Sequence, residues 1–226
     1  MSKKSSKKAY KKSKWYTWGA IIVLILSLLG VKVPGVVTDF FEINNGTAKQ
    51  TDVGHQTSTV PKESGKSTFT NKELELSNKG WITYQALDKL GRPTGADALL
   101  TKSMIGTGSK ANKEIKPPGF ISGLSPYGHS RGHLIGNQFG GSGNEKKNLV
   151  TIYQNPVNSP YMTSYEGKVR DVLNRGGVVR YRVVPLYDGD KLMPAAIEMQ
   201  GKSLKGKALD FKVIIPNVVE QEATNE

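Results

Sequence analysis

The segment Tyr127-Gly128-His129-Ser130-Arg131-Gly132-His133-Leu134-Ile135-Gly136 holds two of the three histidines in a chain of 226 residues. Histidines four apart bind zinc when both rings share one helix face. Gly128 and Gly132 argue against a helix here, no third soft ligand stands nearby, and the chain has no cysteine. Zinc is therefore not expected. The missing cysteines also exclude a disulfide scaffold, disulfide partners and thiol catalysis.

The other chemistry open to this segment is phosphodiester hydrolysis. A histidine with a pKa near ~6.5 is a ready base at neutral pH, and Arg131 offers a planar fork suited to phosphate. The accompanying metal would be hard and largely hydrated, Mg²⁺ with Mn²⁺ as the alternative, because such ions need few protein ligands. The Asn-rich stretch from Asn144 to Asn158 can supply a neutral oxygen.

Outward from the segment, Gly136 to Asn148 is glycine-rich and polar, hence a loop. Pro160 to Asn174 predicts a helix: Ser159 suits its cap and Pro160 its first turn. Met162, Tyr165, Val169, Val172 and Leu173 form its apolar face, and Gly176-Gly177 ends it. Upstream, Trp81 to Tyr84 is a short β-like run, and periodicity leaves Ala96 to Met104 open between strand and short helix. Lys116-Pro117-Pro118-Gly119 is a break. Downstream, Val178–Tyr187, Ala195–Gln200 and Ala208–Ile215 read as strands, the last two joined through Gly201–Lys207. Antiparallel strands with one strong helix make an α+β domain.

The net charge of +13 divides unevenly. Residues 1–14 carry seven lysines and no acid, residues 15–71 are balanced, and residues 72–226 carry 21 basic against 15 acidic side chains. The lysine tail runs into Trp15-Tyr16-Thr17-Trp18 and then an uncharged stretch to Val31. As a helix Trp15–Val31 spans about 25 Å, and Lys32 can snorkel so that the span reaches Val37. Lysines before the span set its N-terminus in the cytoplasm, with Trp and Tyr at the interface. An uncleaved transmembrane signal anchor is the expected reading, with a cleaved signal peptide as its rival and a secreted form as that rival's consequence. Either leaves the bulk of the chain extracytoplasmic. The expected organisation is a cytoplasmic Lys-rich tail (1–14), an anchor in the cell membrane (15–37), a flexible linker (38–71), a folded domain (72–219) and a polar tail (220–226). His55 falls in the linker and reads as solvated.

Arg131-Gly132-His133-Leu134-Ile135-Gly136, the glycine-rich loop, Asn148-Leu149-Val150-Thr151, and Asn158 through Tyr165-Glu166-Gly167-Lys168-Val169-Arg170 together resemble the DNA/RNA non-specific endonucleases. These are the ββα-metal nucleases, and the branch of DNA-entry nucleases and streptodornases is the most similar. The resemblance runs from about Gly80 to Val219. It includes Gly80-Trp81, Leu87 to Arg92, Lys116 to Phe120, Val179-Arg180-Tyr181-Arg182-Val183, and Val213 to Val218.

The resemblance implies a ββα-metal fold, little sequence preference, 5′-phosphate products, and DNA with RNA as a further substrate. It implies that His133 is the general base, that Arg131 supports phosphate and the metal helix, and that Asn158 binds the metal, with Asn155 competing. Asn148 and Glu166 match supporting polar residues, Glu166 near the metal's water shell. The family motif usually begins with Asp where this chain has Ser130, a departure that leaves a degenerate DNA-binding receptor as the main alternative.

Simpler readings accompany these. Glu166 stands four before Arg170 and suits a helix-surface pair; Asn148 and Asn155 suit turns. Arg180 and Arg182 alternate on a strand, either as a nucleic-acid track or as an ordinary exposed face. His129 reads as a neighbour of the site. A membrane-tethered protein-interaction domain is the third functional class.

Overall fold

The computed structural model describes residues 59–77, 79–123 and 128–219. The Lys-rich tail, the expected anchor at 15–37, most of the linker with His55, Tyr127 and the tail at 220–226 lie outside the described residues. Among the described residues no helix is long and apolar enough to cross a membrane.

The main layer is a six-stranded antiparallel sheet, built from β1 (Lys62–Gly65), β2 (Trp81–Tyr84), β3 (Ala96–Thr101), β6 (Val178–Leu186), β7 (Ala196–Lys205) and β8 (Asp210–Pro216). Its spatial order is β1-β8-β7-β6-β3-β2. A separate two-stranded ribbon pairs β4 (His129–His133) with β5 (Leu149–Tyr153). The single α-helix among the described residues, α1 (Thr163–Asn174), follows the ribbon. Ribbon then helix is the ββα arrangement, set beside the sheet as one α+β domain.

The core lies between these layers. Every residue of the expected helix face is buried, Val169 and Leu173 completely. They meet Leu100, Val179, Tyr181, Met199 and Val213 from the sheet, and Val150 and Ile152 from the ribbon. Each such aliphatic side chain stabilises the fold by about 1.5–3 kcal/mol relative to exposure. Gly176 takes φ +78 and its N–H donates to Leu173 O, which ends the helix where the sequence places its stop.

The regular α-helix runs from Thr163, and the turn from Pro160 to Met162 that leads into it is already helical. Ser159 is extended (φ −140, ψ 127) and α1 opens at Thr163 with no side-chain cap. Extended backbone is what an N-cap position adopts, so Ser159 stands at the head of the helix, although its hydroxyl makes no capping bond. Within the irregular helical segment Gln154–Met162 only Asn155 and Ser159 leave helical geometry. Ala96 to Met104 resolves into strand β3 followed by one short turn, Lys102–Met104.

The boundary at residue 72 also moves. Lys62–Gly65 pairs with β8, Ser67 N–H and Oγ both donate to Asp210 Oδ1, and Thr68 N–H donates to Gln200 Oε1. This segment is polar because it is an edge strand and strap, whose stability comes from backbone and side-chain hydrogen bonds instead of apolar burial. The join expected at Gly201–Lys207 is shorter for a different reason: Gly201 lies inside β7, with the Phe211 ring packed where a Cβ would stand.

Candidate active site

The ribbon has two unlike faces because strand side chains alternate. Gly132 faces the core, where a Cβ would come within 2.4 Å of Ile152 Cδ1. His129, Arg131 and His133 therefore share the opposite face, across the ladder from Tyr153, Thr151 and Leu149. Gly128 and Gly132 belong to an extended strand and its approach, as expected from their poor fit to a helix.

That outer face is covered by the loop 105–121, which each ribbon residue holds by a different bond. His133 Nε2 lies 3.0 Å from Ser109 O. Arg131 donates from Nε to Ile115 O at 2.6 Å and from Nη2 to Lys113 O at 3.0 Å, with its guanidinium 4.1 Å above the Phe120 ring. Thr151 Oγ1 donates to Pro118 O, and Ile121 N–H donates to His129 Nδ1.

The Ser109 contact fixes the chemistry of His133. A carbonyl oxygen only accepts, so Nε2 carries the hydrogen and the neutral ring keeps its lone pair on Nδ1. Burial lowers the His133 pKa, with the Ser109 carbonyl partly opposing, so the ring is neutral at physiological pH. His129 has the opposite arrangement, its Nδ1 lone pair already engaged by Ile121, and burial lowers its pKa too. It is a loop anchor, in keeping with its reading as a neighbour.

The loop 136–148 locks this arrangement from the other side. Ser109 Oγ accepts from Gly143 N–H at 2.8 Å, Ser109 N–H donates to Gly141 O, and Asn112 N–H donates to Gly143 O. The backbones approach so closely that a Cβ on Gly143 would lie 1.9 Å from Lys110 O, which only glycine permits. Asn148 is fully buried: its Oδ1 accepts from Ile135 N–H, and its Nδ2 donates to Ile135 O and Ser142 O. It shapes the loop, combining the supporting role and the turn role.

Glu166 is buried on α1, accepting from Gln138 Nε2 at 2.7 Å. Gly136 abuts it, since a Cβ there would stand 2.6 Å from Glu166 Oε1. Desolvation raises its pKa to about 7, the Gln138 bond acting in the opposite direction. The helix-surface pair with Arg170 is corrected: Arg170 Nη1 instead reaches Gln138 Oε1 at 3.4 Å. Glu166 thus ties α1 to the turn three residues beyond His133.

Asn158 is half-buried in the irregular helical segment before α1, where its Nδ2 donates to Gln154 Oε1 at 3.0 Å. That bond fixes the amide, and among the described residues no donor occupies its Oδ1. An anchored amide oxygen is a hard, neutral donor, which fits an oxygen-seeking divalent cation. Asn155 is exposed in extended backbone (φ −120, ψ 136). Ser130 stands on the ribbon face opposite His133, and among the described residues its hydroxyl makes no bond to that ring.

The arginines have different fates, and the expectation for the β6 pair is corrected. Arg131 uses Nε and one Nη2 hydrogen on loop carbonyls and so positions the loop that holds His133, while its Nη1 makes no hydrogen bond among the described residues. Arg180 is 3% exposed and cannot line a nucleic-acid track. Its Nη2 pairs with Asp97 at 2.5 Å and its Nη1 donates to Ala98 O and Tyr181 O. Arg182 Nε pairs with the same Asp97 at 2.7 Å, and its Nη2 pairs with Glu73. Phe69 of the N-terminal strap covers both guanidinium groups. Neither arginine is an ordinary exposed face.

Sequence reasoning missed Ser109. Its contact with His133 is made by a backbone carbonyl, which side-chain identity does not advertise. The run Gly106-Thr107-Gly108-Ser109 was the available signal of a tight loop.

A histidine held in one neutral tautomer, on a ribbon leading into a helix beside an antiparallel sheet, is the arrangement of the ββα-metal class. The chain belongs to the DNA/RNA non-specific endonuclease family, whose model matches residues 70–205. Among solved structures it is similar to NucA from Streptococcus agalactiae. The form with a magnesium ion bound shares 24% identity over 69% of this chain and 78% of that one, with a TM-score of 0.58. The metal-free form shares 26% identity over 69% and 77%, with a TM-score of 0.56. The Sda1 nuclease, solved with a zinc ion, shares 21% identity over 71% of this chain and 91% of that one, with a TM-score of 0.57. No curated protein matches.

Proposed function

We propose that this chain is an extracytoplasmic non-specific endonuclease that hydrolyses DNA, with RNA as a further substrate, using His133 as general base and one divalent ion held through Asn158. Residues 15–37 would anchor it in the cytoplasmic membrane. The observation that carries the catalytic reading is the bond between His133 Nε2 and Ser109 O. It leaves Nδ1 as the proton acceptor and keeps the ring from rotating away from its task.

In this mechanism His133 Nδ1 takes a proton from water as the water oxygen attacks phosphorus and the P–O3′ bond breaks. A solvent water protonates the departing 3′ oxygen to leave a 5′-phosphate end. Arg131 and Asn148 act at one remove, the first fixing the loop over the ribbon and the second fixing the loop beneath it. Mg²⁺, with Mn²⁺ as a substitute, would offset charge on the phosphate and the leaving oxygen. Asn158 supports the metal reading better than Asn155 because its amide is anchored by Gln154.

Incubating the full chain with plasmid, single-stranded DNA and RNA, in Mg²⁺ or EDTA, tests this. Cutting in Mg²⁺ and none in EDTA is the expected result, with Asn158→Ala losing Mg²⁺-dependent turnover and Asn155→Ala keeping it. Retarded but intact DNA in Mg²⁺ would make the protein a receptor instead, and loss confined to Asn155→Ala would move the metal ligand.

A further inference from the structure

Removing Arg180 and Arg182 from contention leaves open where a polyanion would lie. Loop 105–121 carries Lys110, Lys113 and Lys116, and the neighbouring loop carries Lys146 and Lys147. Lys110, Lys113, Lys116 and Lys146 are exposed, and Lys147 is half-buried. The two loops form one surface, because Asn112 Nδ2 donates to Asn144 Oδ1 at 3.1 Å and Asn112 N–H donates to Gly143 O. Residues 110–116 and 143–147 hold five lysines against two acids, Glu114 and Glu145. Half of the +6 excess of residues 72–226 therefore falls within twelve residues.

Like nine other basic side chains of residues 72–226, these lysines have no acidic partner among the described residues, and what sets them apart is that they cluster on the loops packed against His133. Arg92, Lys168, Arg180, Arg182, Lys191, Lys202 and Lys212 all form ion pairs. Among the described residues none of the five loop lysines does. Their position is specific. Lys110 follows Ser109, whose carbonyl holds His133, and the Lys113 carbonyl accepts from Arg131. The cationic rim is thus built from the same loop that orients the base.

We propose that Lys110, Lys113, Lys116 and Lys146 form the rim that holds the phosphate backbone of the nucleic acid beside His133. The proposal rests on the nuclease reading above. Lysine ammonium groups act as mobile point charges, so the rim would bind any sequence and would contact phosphates without reading bases. Its contribution is to affinity, since no rim lysine holds the His133 ring with its side chain.

The test uses the full chain and the variant Lys110→Gln/Lys113→Gln/Lys116→Gln, with Lys207→Gln in the exposed β7–β8 turn as the control. Binding to a fluorescent duplex is followed by anisotropy in EDTA across a salt series, and cleavage kinetics in Mg²⁺. Each lost phosphate contact should reduce the slope of log affinity against log salt by about 0.9. The triple variant should therefore lose about 2–3 in slope and show a raised KM, with kcat within about twofold of wild type, because uniform binding changes KM alone. An unchanged slope in the triple variant, or an equal change in Lys207→Gln, overturns the rim while leaving the nuclease reading intact. A triple variant that keeps duplex binding but loses sedimentation with phosphatidylglycerol vesicles also overturns it, assigning the lysines to the membrane surface. Wild-type chain that neither binds nor cuts overturns both readings.

Discussion

Two strands of this protein carry basic side chains at alternate positions, and the structure uses them in opposite ways. On β4, His129, Arg131 and His133 face a loop and donate to or accept from its backbone. On β6, Arg180 and Arg182 face acids, Asp97 from the neighbouring β3 and Glu73 from the strap. Both patterns look alike in sequence. What separates them is the partner brought by distant chain: a carbonyl holds the imidazole of His133 in one neutral tautomer, whereas carboxylates neutralise the arginines under Phe69. A run of alternating cations identifies a substrate track only when no acid has been folded against it.

The sharpest way to break this comparison is to remove one cation from each strand. Arg180→Ala should cost about 1–3 kcal/mol of stability, because Asp97 keeps only Arg182 and the buried Ala98 and Tyr181 carbonyls lose their guanidinium donor. Thermal or urea unfolding measures the loss, and surviving folded protein should retain its cleavage rate. Arg131→Ala should do the reverse. Freeing the Lys113 and Ile115 carbonyls lets the loop that holds His133 shift, and a displacement of about 1 Å at a catalytic group lowers turnover on the order of 10²-fold. A cleavage defect in Arg180→Ala larger than in Arg131→Ala, at equal fraction folded, would invert the assignment.

A smaller effect concerns pH. The Thr70 backbone N–H, with the Arg182 pair acting in the same direction, lowers the Glu73 pKa to about 2 from an ordinary 4.5. Because the folded value is the lower, the stabilisation is present above about pH 4.5 and is lost as pH falls towards about 2. The carboxylate is partly exposed, so screening limits the effect to about 1 kcal/mol. Hydrogen exchange should show residues 67–74 loosening first on acidification, and Glu73→Gln should remove that pH dependence. Simultaneous loosening of the β4–β5 ribbon would place the acid-sensitive contact elsewhere.

The parts of the fold that were legible in sequence share a physical cause. Strands β6, β7 and β8 and the buried face of α1 announce themselves because apolar periodicity and burial coincide. The edge strand Lys62–Gly65 was hidden in a polar linker because an edge strand needs only backbone pairing. The ribbon strand β4 was equally hidden: its outer face carries His129, Arg131 and His133, and its inner face is part glycine, so neither face shows apolar alternation. At the site, His133 and the Asn158–Glu166 spacing stood out through the family pattern. Ser109 did not, because its role belongs to a carbonyl. The fates of Arg180 and Arg182 depended on Asp97 and Glu73, at sequence separations that local pattern does not span.

The central claim is that His133, fixed by Ser109 O, is the base for phosphodiester hydrolysis. Its direct measurement is the cleavage rate of plasmid and single-stranded DNA in Mg²⁺ by His133→Ala, compared with wild type at matched thermal stability. The account predicts a loss of about 10²–10⁴-fold, the range for removing a general base. Cleavage within a few-fold of wild type by a folded His133→Ala protein would contradict it.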